Sequence, residues 1–184
     1  MSKLQNHNLI ILSGAPGSGK TAILNKLKEC GYNCINEPAR EIIAEQIAIN
    51  GEGLYNKNKK LFLELMLKKA VDNYEQCQNN QKPVIFDRGI PDLMGYAKLF
   101  NLNPNPALTA ANNYRYYKKV FFLPSWQEIY ITDEHRVITF EAAKEFGELI
   151  KQAYIALNYE IINVPLVDIN ERIKFIERII NLQP

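Results

Sequence analysis

Gly14, Gly19, Lys20 and Thr21 stand at the spacing G-x-x-x-x-G-K-T inside the stretch ILSGAPGSGKTAIL, residues 11–24. Residues of these types at this spacing do chemistry on anions. Glycines let successive backbone N–H groups converge on phosphate oxygens, and a helix starting directly after them adds the positive end of its dipole. The pattern predicts that Gly14, Ala15, Pro16, Gly17, Ser18, Gly19, Lys20, Thr21 and Ala22 cradle the phosphates of a nucleoside triphosphate. Lys20 would reach the β and γ phosphates, and Thr21 would offer its hydroxyl to Mg²⁺.

Two further stretches bring acids and arginines together. In NEPAREI, Glu37 stands where a short β-rich run ends, and Arg40 follows one turn into the next helical stretch. In VIFDRG, Asp87 follows three apolar residues and Arg88 stands beside it. As ends of parallel strands, both carboxylates arrive at the carboxyl edge of a sheet, where ligands of open α/β folds bind. Asp87 then has the position of a Walker B carboxylate, able to hold Mg²⁺ through water or to take a proton, so it is a metal-site candidate together with Thr21. Glu37 or Asp87 would act as the base for an acceptor hydroxyl, with Arg88 a cation for the developing charge. The plainer alternative makes Glu37 and Arg40 cap a helix and Asp87 with Arg88 a surface pair. Farther along, SWQEIYITDEHRVITFEAA carries Trp126, Tyr130, Asp133 and Arg136. A charged segment there suits a lid over about residues 125–139 that closes on phosphates, with Arg136 as its arginine or, alternatively, as a solvated side chain. His7 and His135 have no metal-ligand partners at useful spacing and read as surface residues. Tyr96 reads as packing one helix face, and Arg115 as a solvated helix residue.

The elements that must position these groups follow from hydrophobic pattern. Five short apolar or β-rich runs recur, starting at Asn8, Asn33, Pro83, Lys119 and Glu160, with helical stretches between them. That alternation predicts an α/β protein whose parallel sheet carries helices on both faces. Ile23, Leu24 and Leu27 mark the apolar side of the first helix, which Gly31 closes. Leu61, Leu63, Leu65, Met66, Ala70, Tyr74 and Cys77 sit at largely helical spacing and read as core. Another helix starts near Phe140, and a last one runs from Ile169 to Ile180 behind the cap Asp168, with Glu171 three residues on.

A chain of 184 residues with 47% hydrophobic content suits one domain, residues 1–184. Its 22 Lys and Arg nearly balance 20 Asp and Glu, which gives no footprint of general nucleic-acid or membrane attraction. The polar start MSKLQNHN and the absence of a long apolar run predict a soluble, cytoplasmic protein. Three cysteines, Cys30, Cys34 and Cys77, suit neither a disulfide framework nor a zinc site and read as ordinary reduced, apolar residues. No N-K-x-D signature for guanine is present, which favours ATP over GTP.

The blocks GAPGSGKT, NEPAR, DRGIPDLMGYA, FFLPSW with IYITDEHR, and YEIINVPLVDINERIKFI occur in the order found in the P-loop domain of the nicotinamide riboside kinase type. That domain goes under an AAA label and is built like a nucleoside kinase. The resemblance covers nearly the whole chain. The EP and DR pairs are also similar to those of deoxynucleoside kinases, where the strand-two glutamate acts on the sugar hydroxyl and the arginine meets phosphate. The resemblance implies a three-layer α/β/α P-loop fold with strand order 2-3-1-4-5. It supports Glu37 as base or hydroxyl ligand, Asp87 with Mg²⁺, Arg88 with phosphate and Arg136 as lid arginine. The expected activity is Mg²⁺-dependent transfer of the γ-phosphate of ATP to a small hydroxyl-bearing metabolite of nucleoside or riboside type. The alternative expectation is an ATP- or GTP-dependent binding module or switch with slow hydrolysis.

Overall fold

The computed structural model describes residues 6–130 and 138–181. Five strands, β1 (Leu9–Gly14), β2 (Asn33–Ile35), β3 (Val84–Asp87), β4 (Lys119–Leu123) and β5 (Glu160–Asn163), form one sheet in the order β2-β3-β1-β4-β5. All four pairings are parallel, with Leu12 opposite both Asp87 and Phe121 in the central strands. Every residue of β1 is buried, as a strand covered on both faces must be. The fold class and strand order expected from the sequence are those observed.

Alternation along the strands divides the core in two. Leu9, Ile11, Val84, Phe86, Val120 and Phe122 point to one face. There they meet helices α2 (Pro38–Ala48), α3 (Lys59–Cys77), α4 (Asp92–Leu99), α5 (Asn105–Asn113) and α6 (Phe140–Ala156). Ile10, Leu12, Ile85, Phe121 and Leu123 point to the other, where α1 (Lys20–Glu29) and α7 (Ile169–Asn181) pack. Helix α1 buries Ile23, Leu24 and Leu27 and ends at Gly31, whose φ of +91° lets the chain turn into β2. Asp168 caps α7 by accepting from the N–H groups of Asn170 and Glu171 at 2.9 and 3.3 Å.

Several details depart from the sequence reading. The buried stripe of α3 is Phe62, Met66, Ala70, Asn73, Tyr74 and Cys77, so Leu61 and Leu65 lie at its flank rather than at its centre. Arg115 is not a solvated helix residue. It lies beyond α5, donates to the Leu157 carbonyl at 2.8 Å and stands 4.2 Å over the Tyr159 ring. The three cysteines are free but graded: Cys30 is exposed, Cys34 half-buried and Cys77 buried. Among the described residues, no helix is long and apolar enough to cross a membrane.

Candidate active site

Strand β1 ends at Gly14 because the chain there runs against β4. A Cβ on Gly14 would stand 2.2 Å from the Leu123 carbonyl oxygen, and the residue has a φ of +143°. The loop then turns on itself. The Ala15 carbonyl accepts from the Ser18 hydroxyl at 2.7 Å and from Lys20 Nζ at 2.8 Å, while the Gly14 carbonyl accepts from Lys20 Nζ at 3.3 Å. Gly19, with φ +88°, occupies the N-cap of α1, which has neither a capping side chain nor an acid in its first turn. The first-turn N–H groups and the helix dipole therefore face the cleft with no cap or acid supplied by α1 itself. Burial, and after it the Arg88 charge, bring the Lys20 ammonium down to about 8. From behind, α6 presses on the loop: a Cβ on Gly147 would come within 2.9 Å of that of Ala15.

Beside the loop lies an ionic network. Glu37 occupies the N-cap position of α2 but makes no capping bond. Its side chain turns to the cleft instead, accepting from Arg88 Nε at 2.8 Å and from the Tyr96 hydroxyl at 3.1 Å. Burial opposes its charge, but Arg88 and Lys20 outweigh that and hold the carboxyl below the usual carboxylate range. Arg88 is buried rather than a surface residue. Its φ of +70° is a backbone state that costs a non-glycine residue about 1–3 kcal/mol and collects at functional sites. The state is held by its own N–H on the Leu12 carbonyl at 3.0 Å, and by Nη1 on the Gly14 carbonyl and on Asp92 at 3.1 and 2.9 Å. Asp92, fully buried, also accepts from the Ser13 hydroxyl at 2.6 Å, the Gly89 N–H at 2.9 Å and the Tyr154 hydroxyl.

Asp87 reaches the same edge but sits deeper, 3% exposed, and outside the lining of the cleft. Its Oδ1 is buried with no hydrogen-bond partner among the described residues. Burial, then the charge of Glu37, push its carboxyl up to about 6. An orphaned carboxylate oxygen near an uncapped phosphate loop fits a magnesium ion reached through water. The Thr21 hydroxyl, which accepts from Arg40 Nη2 at 3.1 Å, would be the second oxygen on offer to such an ion. Among the described residues no three His, Cys, Asp or Glu side chains gather to hold a metal by themselves.

The loop residues Pro16, Gly17, Gly19, Lys20, Thr21 and Ala22 line one cleft of about 1020 Å³ with Glu37, Arg40, Arg88, Tyr96, Trp126 and Arg172. The structure thus brings together Lys20, Thr21, Glu37 and Arg88 at its surface and Asp87 behind it. Arg136, with Asp133 and His135, lies outside the described residues. The described ends of that segment are tied: the Tyr130 hydroxyl donates to the Ile138 carbonyl at 2.5 Å. Sequence reasoning missed Asp92 and Arg172 and gave Tyr96 only a packing role. The spacing D-R-x-x-x-D put Asp92 one turn from Arg88 and was the one available signal.

The model of a family described as AAA domain matches residues 9–172. A curated nucleotide-binding protein of Psychromonas ingrahamii is 34% identical over 70 residues, a match spanning 38% of this chain and 23% of that protein. Among solved structures, deoxyadenosine kinase from M. mycoides with dCMP and dCDP bound aligns at TM-score 0.67 and 21% identity, over 94% of this chain and 98% of that one. NadR protein in complex with NR aligns at TM-score 0.71 and 18% identity, over 96% of this chain and 52% of that one. Thymidylate kinase from Candida albicans aligns at TM-score 0.63 and 17% identity, over 95% and 91% of the two chains. At these identities the likenesses establish the fold, that of P-loop kinases.

Proposed function

The chain belongs to the AAA domain family, and from that premise we propose that it is an ATP-using, magnesium-dependent phosphotransferase of nucleoside-kinase type. Its acceptor is the hydroxyl of a small metabolite, a nucleoside or riboside. Residues 1–184 act as one domain in this reading, with residues 125–139 as the lid and Arg136 as its arginine. The observation that carries the proposal is the Glu37–Arg88–Tyr96 cluster on the wall of the same cleft as the phosphate loop. An ionised carboxylate on that wall, oriented by the Tyr96 phenol, supports a hydroxyl acceptor beside the phosphates.

The roles follow from position and charge. Glu37, ionised at neutral pH and facing the cleft, accepts the hydroxyl proton as the acceptor oxygen forms its bond to the γ phosphorus and the bond to the β,γ-bridging oxygen breaks. The depth of Asp87, 3% exposed and off the cleft lining, supports giving Glu37 the acceptor and Asp87 the metal. Tyr96 donates to Glu37 and fixes its orientation. Lys20 and the N–H groups of α1 hold the phosphates, and Arg88 meets the charge that develops on the transferred group. Magnesium, when bound, supplies charge neutralisation between phosphate oxygens, with Thr21 and Asp87 its protein neighbours.

The test is a transfer screen with γ-labelled ATP over nucleosides, ribosides and other small alcohols. At least one should be phosphorylated with a magnesium requirement. In Glu37→Gln turnover on that acceptor should fall by about 10²-fold or more at unchanged ATP affinity, whereas Asp87→Asn should alter the magnesium dependence. A screen without any labelled product overturns the phosphotransferase.

A further inference from the structure

Arg172, on the first turn of α7, approaches the phosphate loop from the face opposite Arg88. It is 4% exposed and lines the cleft. Its Nη2 donates to the Ser18 carbonyl at 3.2 Å, and its guanidinium carbon stands 5.5 Å over the Trp126 ring. Nη1 lies 3.1 Å from the place a Cβ on Gly19 would take. Its Nε is buried with no hydrogen-bond partner among the described residues. No described carboxylate pairs with it, whereas the equally buried Arg88 pairs with Glu37 and Asp92. A purely structural arginine at this depth would be matched by an acid, because a buried, unpaired charge is costly. Burial alone lowers its proton affinity.

We infer that Arg172 is a positioning residue for the polyphosphate, held with no counter-ion among the described residues and balanced by the negative charge of the nucleotide that enters the loop. This rests on the reading of the loop as a triphosphate site. The route of action is a single peptide unit. The Ser18 carbonyl and the Gly19 N–H belong to the same peptide group, which is trans, so a guanidinium on the carbonyl turns and polarises the N–H toward the phosphate cradle. Arg88 also donates to a loop carbonyl, that of Gly14, but the N–H of that peptide, on Ala15, donates to the Leu123 carbonyl at 3.4 Å. The effect is therefore confined to the Ser18–Gly19 peptide, whose N–H is left for the anion. The contact with Trp126 ties this arrangement to the start of the segment 125–139.

Calorimetry with MgATP and with inorganic tripolyphosphate tests the assignment, using the parent, Arg172→Met and Arg172→Lys. The free Arg172→Met protein should melt within a few degrees of the parent or above it, yet bind both ligands about tenfold or more weakly, as loss of a charged hydrogen bond predicts. Arg172→Lys keeps the charge without the planar fork and should fall between the two. Trp126 is the one tryptophan of the chain, so its emission reads the contact directly. In the parent the emission should change along the calorimetric isotherm, and in Arg172→Met the change should be lost. Parental affinity in Arg172→Met, a loss confined to MgATP, or an emission that stays flat as the parent saturates each overturns the inference. Should Arg172→Met not fold, weakened binding by Arg172→Lys together with the parental emission change supports it, and the failure of either overturns it. A parent that binds neither ligand overturns the triphosphate reading itself, while an empty acceptor screen touches only the phosphotransferase.

Discussion

Lys20 is where solution conditions act most directly on the site. Burial and the Arg88 charge bring its ammonium down to about 8, so in the free protein it loses its proton well below the usual lysine range. Only the protonated form pairs with phosphate. Affinity for MgATP should therefore fall as pH rises from about 7 to about 9, with proton uptake on binding above about 8, where the phosphates themselves no longer titrate. Calorimetry in buffers of different ionisation heat measures that uptake, and a flat affinity over the range would remove Lys20 from the phosphates. The turn of the loop was legible because the spacing of its glycines along the chain sets it. Glu37 was legible as an acid at a strand end, but not as the partner of Arg88. Tyr96 and Arg172 acquire their roles from groups 59 and 154 positions away, on Glu37 and Ser18, and no local pattern carries such a distance, whereas Asp92 showed its local half, the spacing to Arg88, but not its bond to Ser13.

At the scale of elements, the loop is only as rigid as the helix behind it. Gly147 of α6 lets that helix approach Ala15 closely enough that a Cβ would stand 2.9 Å from the alanine's own. Gly147→Val should displace α6 from the loop, costing about 1–3 kcal/mol of stability by overpacking and weakening MgATP binding in the same variant. Gly31→Ala is the control: the residue has φ +91° with open space around it, so the change should cost about 1 kcal/mol of backbone strain and leave binding unaltered. Thermal melts beside calorimetry separate the two, and a Gly147→Val protein with parental affinity would show that α6 does not shape the loop. The strands β1, β3 and β4 were legible as compact apolar runs bounded by turn residues, β2 and β5 as short β-rich ones, and the cap at Asp168 was legible from the Glu171 that follows it. The α3 stripe was less so. With Leu61, Phe62, Leu63, Leu65, Met66 and Leu67 nearly continuous, periodicity alone does not say which face is inside.

The molecule as a whole is a sheet with two separate apolar cores, and only β1, β3 and β4 contribute heavily to both. Strand order was legible through resemblance rather than through physics, because the choice of neighbours among parallel strands leaves little trace in any one of them. The chain folds the site into the sheet at a place where the two halves must agree, and Asp92 is that place. Its carboxylate takes hydrogen bonds from Ser13 at the end of β1, from Arg88 and Gly89 after β3, and from Tyr154 on α6. In an unfinished chain, with any of those segments undocked, Asp92 is a charge entering the interior without its donors, so burying it early is opposed. This makes the carboxylate a late checkpoint in assembly. Asp92→Asn should cost about 3 kcal/mol, as breaking a buried ion pair does. Stopped-flow measurements should place most of that cost in faster unfolding, with the refolding limb of the chevron little changed. A slower refolding limb would instead put the docking of α6 on β1 in the nucleus. If the lateness holds, nucleotide binding is acquired in one step with the last cooperative event of folding, and a partly folded chain has no competent phosphate loop to offer.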